Sequence, residues 1–359
     1  MKALVIGGTG PTGPYVIEGL LKKGYEVAVL HRGLHEVAYS QKTEHIHVDP
    51  FAPDAMNVLG TRKFDVVFSM YGRLRQIAKA MEGRTSRFIG ITGGPAYLGS
   101  GRLADNPEGL LMPVPEDAPL VINPNVSRIG YLVVLGEQEV METHQRGGYC
   151  ATLFRYPMIY GPRQLPPKEW SIIKRILHKR RKLILPDGGL VLCSRAYAEN
   201  AAHSLLLAID NNESGGQIYN VAEERTLTLK QWIEIIAKIM GHEFEYIDLP
   251  WALAKPSHMW ATGKFHFVLD TTKIKKELGY QDVVQAKEGL QRTIQWFLEH
   301  RPENNGEIEQ QLRDPFNYDV EDRIIGEWEA VRNKIKDIPF NVEKFKYGYS
   351  DPRKPENRP

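Results

Sequence analysis

The chain opens with short apolar runs that alternate with amphipathic segments. Residues 3–7 (ALVIG) form a β-branched apolar run, which predicts a buried strand. Residues 13–24 follow and place Val16, Leu20 and Leu21 on one face, so they predict a helix. The chain therefore begins with a strand, a short glycine-rich turn and a helix.

Four further apolar runs continue this alternation, at residues 25–33, 44–50, 64–72 and 87–94, and helical segments separate most of them. Alternating strands and helices are typical of βαβ units. We therefore predict an α/β fold with a Rossmann-type, doubly wound parallel sheet. In such sheets ligands bind at the carboxyl ends of the strands, so the residues that follow each run are the candidate site.

The turn after the first predicted strand, GGTGPTG at residues 7–13, has the spacing of a dinucleotide-binding turn. Gly7 permits a tight turn, Gly10 lets backbone N–H groups approach a pyrophosphate, and Gly13 lets the helix pack close to the strand. A plain strand-to-helix turn is the alternative. The residues predicted to hold the phosphates are Gly7, Thr9, Gly10, Pro11, Thr12 and Gly13.

The second predicted strand ends in His31 and Arg32, where an adenosine ribose would lie. An acidic residue there would bind a free 2′-hydroxyl, whereas an arginine suits a 2′-phosphate. We therefore predict that NADP(H) is preferred, with NAD(H) as the second choice, and that both residues contact the cofactor. A solvated loop arginine is the alternative interpretation of Arg32.

The ends of the later predicted strands supply further candidates for the cofactor site. Asp49 follows the third strand, and Ser69, Met70 and Tyr71 follow the fourth. Thr92 lies at the end of the fifth strand and is a candidate substrate ligand. Because Asp49 precedes a proline, a turn-starting role is its alternative.

Five ordered segments within residues 1 to about 300 resemble the extended short-chain dehydrogenase/reductase group, the NAD-dependent epimerase/dehydratase family. They are GGTGPTG, PEDAP, LFRYPMIYGPRQ, GGQIYNVAEERTLTLKQW and LDTTKIKKELGYQ, which begin at residues 7, 115, 153, 215 and 269. The resemblance implies a smaller, interleaved substrate domain. It also implies that Asp49 contacts the adenine and that Pro157, Met158 and Ile159 line the nicotinamide end.

The same resemblance implies a catalytic Ser or Thr, a Tyr, and a Lys four residues later that lowers the phenol pKa. In RIGYLVVLGEQEVMETH, Tyr131 matches the Tyr, but Leu135 stands where the Lys is expected. Thr92 keeps a hydroxyl that could fill the Ser/Thr position. If the segment is aligned from the downstream Leu-Gly, however, Gly94 falls at that catalytic position. Tyr131 and Thr92 are thus the catalytic candidates of an atypical member. Arg128 or a lysine of the substrate domain could supply the missing charge.

Composition and charge limit the other function classes. The chain has 359 residues, is 42% hydrophobic and 25% charged, and carries a formal net charge of +2, which gives no reason to expect a polyanionic partner. It has two cysteines, Cys150 and Cys193, and no transmembrane-length apolar run or signal peptide. We therefore expect a cytoplasmic protein with no membrane association.

Two local patterns have alternative functional interpretations. The eleven histidines look scattered without zinc spacing, so no metal site is predicted. The basic run at residues 174–182 is interpreted as the solvated face of an amphipathic helix, which disfavours a nucleic-acid partner. A grip on a phosphorylated substrate or on RNA is the alternative for this run.

The predicted domains interleave, and a C-terminal extension follows them. The extension contains one amphipathic helix and is expected to cover the substrate cleft or to form a subunit contact, as in a homodimer. The predicted boundaries are 1–165 plus 191–222 for the dinucleotide-binding domain, 166–190 plus 223–300 for the substrate domain, and 301–359 for the extension.

Taken together, these features predict an NADP(H)-dependent oxidoreductase that reduces a carbonyl or related electrophile of a small organic substrate. Two alternatives stay open. One is a nucleotide-sugar epimerase or dehydratase, which normally needs a tightly held NAD and a deprotonated Tyr. The other is a catalytically degenerate dinucleotide-binding or RNA-associated protein.

Overall fold

The computed structural model describes residues 1–70, 72–100, 109–257 and 263–339. The chain divides into two compact units, Met1–Phe316 and Asn317–Pro359. Within the described ranges, none of the helices is long and apolar enough to cross a membrane. All predicted site residues belong to the first unit.

Eleven strands and nine helices make up the described part of the first unit, together with short 3-10 turns. The strands are β1 Lys2–Ile6, β2 Glu26–His31, β3 Glu44–His47, β4 Phe64–Ser69, β5 Thr85–Gly93, β6 Cys150–Tyr156, β7 Met158–Tyr160, β8 Lys182–Pro186, β9 Arg195–Tyr197, β10 Gln217–Asn220 and β11 Glu245–Leu249. The helices are α1 Gly13–Lys22, α2 Leu74–Met81, α3 Arg128–Gln145, α4 Lys168–Leu177, α5 Ala198–Leu207, α6 Leu229–Ile239, α7 Thr272–Leu278, α8 Ala286–Glu299 and α9 Glu307–Leu312.

The centre of this unit is a seven-stranded parallel sheet in the order β10-β6-β5-β4-β1-β2-β3. The strand order reverses direction next to β1, which is the doubly wound arrangement. The predicted α/β class and Rossmann-type sheet are therefore confirmed. The division into interleaved dinucleotide and substrate domains stays a prediction.

The central strands are apolar on both faces because helices cover both faces. Val5 packs with Val16 and Leu205 of α1 and α5 on one side. Its neighbour Leu4 packs with Ile77 of α2 on the other side. This alternation of side chains fixes the register of β1 at the middle of the sheet.

A second hydrophobic core lies beside the sheet and is built from α4, α6, α8 and the β8–β11 pair. Trp170, Trp232 and Leu290 are buried in it. The short β7–β9 pair contributes to the same core, and β7 directly follows β6 along the chain.

The basic run of α4 differs from its predicted solvated state. Lys174 and Arg175 are buried, and the expectation of a solvated face is wrong for both. Lys174 Nζ donates to both carboxylate oxygens of Glu309 at 2.6 and 2.8 Å, and Arg175 donates to Asp314 at 2.6 and 3.1 Å. Buried charges need such partners, and both come from the start of the C-terminal extension.

The second unit contains helix α10, Tyr318–Lys336, which includes the predicted amphipathic segment. The extension also contains α9, Glu307–Leu312, before the chain enters the second unit. No helix had been predicted at α9 from the sequence. The remainder of the extension, residues 340–359, lies outside the described part of the chain.

Candidate functional site

The turn between β1 and α1 contains four glycines: Gly7 is constrained by its backbone conformation, Gly8 and Gly13 are tightly packed, and Gly10 is open. Gly7 has a φ of 89°, a conformation that side-chain-bearing residues rarely adopt. A Cβ added at Gly13 would lie 2.0 Å from the carbonyl oxygen of Gly8, whereas one added at Gly10 would meet nothing within 4 Å. The turn therefore needs Gly7 and Gly13 for its own geometry and leaves the Gly10 position accessible.

Helix α1 begins directly after this turn, and its positive end faces the same space. Thr12 is its N-cap residue, and the Thr12 side chain makes no capping hydrogen bond to the helix. The first N–H groups of a helix have no partners within the helix, so an anion at this position is favoured. Of the predicted phosphate-binding residues, Thr9, Gly10 and Pro11 are partly exposed, and phosphate binding at this turn stays a prediction.

An arginine that the sequence analysis did not select also lies near this turn. Burial raises the pKa of Tyr15 and raises that of Tyr39 to about 12, while the positive charge of Arg163 acts on both phenols in the opposite direction. Tyr39 in turn donates a hydrogen bond of 3.4 Å to the carbonyl of Gly8. Arg163 follows the YGP sequence after β7, which is the signal that could have identified it.

The other predicted cofactor residues also lie at the carboxyl edge of the sheet. β1 pairs in parallel register with β2 and β4, so the ends of these strands stand side by side. The described residues at or just beyond strand ends are His31 and Arg32 (β2), Asp49 (β3), Ser69 and Met70 (β4), and Pro157, Met158 and Ile159 (β6–β7). Tyr71 lies outside the described residues.

Four of these residues have individual environments that affect their roles. Asp49 accepts a hydrogen bond of 3.0 Å from the Phe51 amide, which is the turn-starting geometry given above as its alternative. Ser69 is buried, and its hydroxyl has no hydrogen-bond partner among the described residues. Arg32 is exposed, whereas His31 is buried beneath it.

The hydroxyl of Thr92 is engaged inside the protein. Thr92 Oγ1 donates to Glu137 Oε1 at 2.7 Å. Arg155 donates to the same carboxylate through Nε and Nη2, at 2.9 and 2.7 Å, and both charged side chains are almost completely buried. The proton of Thr92 is therefore used to satisfy a buried carboxylate, and only its oxygen lone pairs are left for a substrate.

Gly94, the alternative position for the catalytic hydroxyl, is covered by an aromatic ring. A Cβ added at Gly94 would lie 2.7 Å from the Phe267 ring. A serine or threonine there would require Phe267 to move. In either alignment, then, the structure offers no freely placed hydroxyl donor at the end of β5 among the described residues.

Tyr131 lies in the first turn of α3, close to the end of β5. Ser127 caps this helix by accepting a hydrogen bond of 3.1 Å from the Gly130 amide. A Cβ at Gly130 would lie 2.3 Å from the carbonyl of Pro95, so the helix start packs directly against the segment that follows β5. Tyr131 is half-buried there, and Leu135, one turn further along, is also half-buried.

A cavity of about 260 Å³ lies beside the predicted nicotinamide end and is lined by Met158, Ile159, Lys168 and Glu169, among others. Burial lowers the pKa of Lys168 and raises that of Glu169. Lys168 and Glu169 also line a smaller neighbouring cavity, into which Arg195 is directed from β9. Lys168, from the segment that the sequence assigned to a substrate domain, thus lies beside the predicted nicotinamide end.

Arg195 is buried and only partly satisfied. Its Nη1 donates to the carbonyls of Cys193 and Leu227, at 3.2 and 3.4 Å, and its guanidinium lies 4.4 Å from the centre of the Trp232 ring. Its Nη2 has no hydrogen-bond partner among the described residues. An unpaired donor on a buried cation is costly unless a ligand accepts from it.

Three of the eleven histidines lie together, so the expectation of scattered histidines is wrong for these three, while the absence of a metal site stays a prediction. His31, His45 and His47 lie together with Glu36 at the ends of β2 and β3. The sequence did contain a signal for this cluster: His45 and His47 alternate on one predicted strand, and His31 ends the preceding strand.

Residues 97–222 match the protein family described as the NAD dependent epimerase/dehydratase family. The fold is that of a Rossmann-type α/β protein, and the match over residues 97–222 agrees with the resemblance that the motifs indicate. The chain spans about half the length (50%) of one curated relative, the uncharacterized protein YbjS of Escherichia coli, with 25% identity over 42% of this chain.

A longer match is to the chloroplast stem-loop binding protein of 41 kDa b of Arabidopsis thaliana, with 24% identity over 80% of this chain and 77% of that protein. Among solved structures, the chain is similar to the UDP-glucuronic acid 4-epimerase of Bacillus cereus in complex with UDP-glucuronic acid and NAD. The TM-score is 0.66 with 19% identity, covering 84% of this chain and all of that one. At this identity the structural likeness establishes the fold alone.

One buried carboxyl next to the site predicts a pH dependence of stability. Burial raises the pKa of Glu223 from 4.5 to about 7, although Tyr160 donates to its Oε1 at 2.6 Å and the Tyr197 amide at 3.0 Å. Between these two pKa values the folded chain keeps a proton that the unfolded chain releases. The free energy of unfolding therefore falls as the pH rises from 4.5 to 7, by up to about 3 kcal/mol.

We expect Glu223→Gln, which imitates the protonated carboxyl, to show a flatter dependence of unfolding free energy on pH in denaturant titrations. The matched control is Glu224→Gln, since Glu224 is exposed and adjacent. It should keep the slope of the parent protein. A Glu223→Gln slope equal to that of the parent would contradict the assignment.

Proposed function

We propose that this chain binds NAD(P)(H) along the carboxyl edge of the parallel sheet and acts on a nucleotide-linked sugar, as an epimerase or dehydratase. The observation that carries the proposal is the β1–α1 turn, where Gly10 is open and the start of α1 is available to an anion. The family match and the similar UDP-sugar epimerase favour this function over the reduction of a small free carbonyl compound.

The dinucleotide would lie across the middle of the sheet. Its pyrophosphate would accept from backbone N–H groups between Gly7 and Gly13, with Arg163 contributing a nearby positive charge. Its adenosine would extend toward Arg32, and its nicotinamide toward Met158. Bound there, the nicotinamide supplies hydride chemistry, while the chain supplies position and proton transfer.

Gly10, which has free space beside it, and Gly13, which does not, allow a test of this placement. We expect Gly10→Ala to leave the free energy of unfolding within about 0.5 kcal/mol of the parent, since its Cβ has space. The same methyl group would obstruct a pyrophosphate, so the Kd for NADH and NADPH should rise at least about tenfold in fluorescence titrations.

Gly13→Ala is the contrasting variant, because its Cβ would overlap the Gly8 carbonyl. We expect it to be destabilised even without cofactor. If Gly10→Ala binds both dinucleotides as tightly as the parent does, the phosphates do not lie at this turn.

The choice between the two dinucleotides depends on Arg32 in this proposal. The similar solved structure contains NAD, and the NADP(H) preference is a prediction from the arginine alone. We expect Arg32→Ala to raise the Kd for NADPH about tenfold and to leave the Kd for NADH within about twofold. Lys42→Ala, at an exposed position of the same connection, is the control. Equal Kd values for NADH and NADPH in the parent would remove the preference.

The nucleotide-linked sugar would occupy the cavities beside Met158. Half-buried Lys168 lines the larger cavity and is suited to the negative charge of a diphosphate or of an acidic sugar, while buried Arg195 lines the small neighbouring cavity and adds positive charge nearby. Because both cations are partly desolvated, an anion there would be bound more strongly than at the surface. This arrangement favours a charged substrate over a neutral aldehyde or ketone.

Tyr131 is the candidate for proton transfer at the sugar. A phenol at this position can exchange a proton with a hydroxyl that is being oxidised or with a carbonyl that is being reduced. Leu135 provides no cation to assist it, so Lys168 is the group that we expect to compensate. Thr92 would act only as an acceptor, since its proton is donated to Glu137.

We expect the parent protein, supplied with NAD, to convert UDP-linked hexoses or hexuronic acids. The conversion is measured by chromatography. Tyr131→Phe should lower turnover at least about a hundredfold without changing the Kd for the dinucleotide. Tyr25→Phe, a tyrosine outside the proposed site, is the control. Undiminished turnover by Tyr131→Phe would exclude Tyr131 from the reaction.

A second candidate function is dinucleotide binding without catalysis. It is favoured by the engagement of Thr92 with Glu137, the ring of Phe267 over Gly94, and Leu135. Binding of both ligands without turnover would support it. An RNA-associated role has one similar protein in its favour, but Lys174 and Arg175 of the basic run are buried in ion pairs.

A further inference from the structure

Four side chains with metal-ligating atoms converge where β2 and β3 end. They are His31, Glu36, His45 and His47, and their ligand atoms all lie within 4.8 Å of one another. His31 Nε2 lies 2.8 Å from His45 Nδ1. The carboxylate of Glu36 lies 3.2 Å from His45 Nδ1 and 2.9 Å from His47 Nε2.

The sheet itself brings these histidines together. β2 and β3 are parallel neighbours, and the register pairs His31 with His47. His45 and His47 are two residues apart, so they lie on one face of β3, while Ile46 between them points into the core. Glu36 comes from the connection between the two strands, which folds back over their ends.

We propose that His31, Glu36, His45 and His47 form a binding site for a divalent transition-metal ion of the zinc class. Imidazole nitrogen suits Zn²⁺, Co²⁺, Ni²⁺ and Cu²⁺, whereas Mg²⁺ and Ca²⁺ prefer sites built from oxygen alone. Three imidazoles and one carboxylate complete a four-coordinate site. They also balance part of the charge of a divalent cation.

The present contacts are a hydrogen bond between His31 Nε2 and His45 Nδ1 and the close approach of the Glu36 carboxylate to His45 and His47, and the ion would displace any proton that lies between these ligand atoms. Tetrahedral bonds of about 2.0–2.1 Å place ligand atoms roughly 3.3 Å apart, so shifts of about an ångström are needed. The surrounding structure allows them, because the side chains of His47 and Glu36 are each more than half exposed (55% and 56%).

The ring atoms not facing the ion have defined surroundings. His45 Nε2 lies 3.1 Å from Thr43 Oγ1, which can accept its proton and orient the ring. His31 Nδ1 accepts a 3.2 Å hydrogen bond from the Gly33 amide. If His31 coordinates through Nε2, its proton moves to Nδ1, so this bond is lost and the turn at Gly33 must adjust.

A filled site would also stiffen the neighbouring connection. Tyr39 stacks on His45, with ring centres 5.9 Å apart, and its hydroxyl reaches the Gly8 carbonyl of the glycine turn. The ion would therefore hold the segment around Tyr39 beside the proposed phosphate site. Metal binding itself does not depend on the proposed function and is measured without any dinucleotide.

The test uses the full-length chain without a histidine tag, freed of metal by a chelator. Zn²⁺ is titrated by calorimetry, and Co²⁺ is added separately as a spectroscopic probe. His47→Ala and Glu36→Gln remove exposed ligands without opening the core. His35→Ala is the matched control, because His35 is exposed and adjacent to Glu36 but outside the cluster.

We expect one Zn²⁺ per chain and a visible Co²⁺ absorption well above that of the hydrated ion. His47→Ala should weaken Zn²⁺ binding at least about a hundredfold and Glu36→Gln at least about tenfold, with His35→Ala within about threefold of the parent. The proposal is overturned if the parent binds Zn²⁺ no more tightly than His47→Ala, or if His35→Ala weakens binding as much as the ligand variants do.

Discussion

The arrangement of the site depends on the buried pair of Arg155 and Glu137. Arg155 lies in β6 and binds the carboxylate of Glu137 on α3 through two parallel hydrogen bonds. It also donates to the carbonyl of Glu116 and to the hydroxyl of Tyr97. Two charges this deeply buried are tolerated only with their partners in place, so β6, α3 and the segment after β5 are held in one relative position.

The carboxyl edge of the sheet has two parts on either side of this pair, and they differ in how far their groups are engaged in contacts within the protein. Near β1 and β2, the Gly10 position has free space beside it and Arg32 is exposed. Near β5 and α3, by contrast, side chains serve the fold, because Thr92 donates to Glu137 and Phe267 covers Gly94. The proposed dinucleotide site is therefore less occupied by contacts within the protein than the positions expected for proton transfer.

Any chemistry would then rely on Tyr131 of the expected triad together with a group from outside that triad. Tyr131 keeps a phenol beside the end of β5, and Lys168 brings a half-buried cation to the cavity next to Met158. Because Leu135 provides no cation on α3, the charge that assists the phenol would have to come from another element of the chain.

The sequence predicted those features that follow from local spacing. The apolar runs indicated the first five parallel strands, and the glycines between residues 7 and 13 indicated the tight turn that the structure contains. Because strand ends share one edge of a parallel sheet, the positions of Arg32 and Ser69 also followed from the pattern.

Contacts between distant segments could not be predicted in this way. The ring of Phe267 over Gly94 and the pairing of Lys174 with Glu309 join parts of the chain that no local period connects. The histidine cluster is intermediate between features set by local spacing and contacts between distant segments. Its residues were visible in the sequence, but only the parallel register of β2 and β3 places His31 beside His47.

The central claim is that the β1–α1 turn holds the pyrophosphate of a pyridine dinucleotide. The most direct test is a crystal structure of the protein soaked with NADH or NADPH. We expect electron density for the pyrophosphate within hydrogen-bond distance of backbone amides of residues 7–13, and for the nicotinamide next to Met158. Full occupancy of a dinucleotide elsewhere on the chain, or no dinucleotide density at saturating concentration, would contradict it.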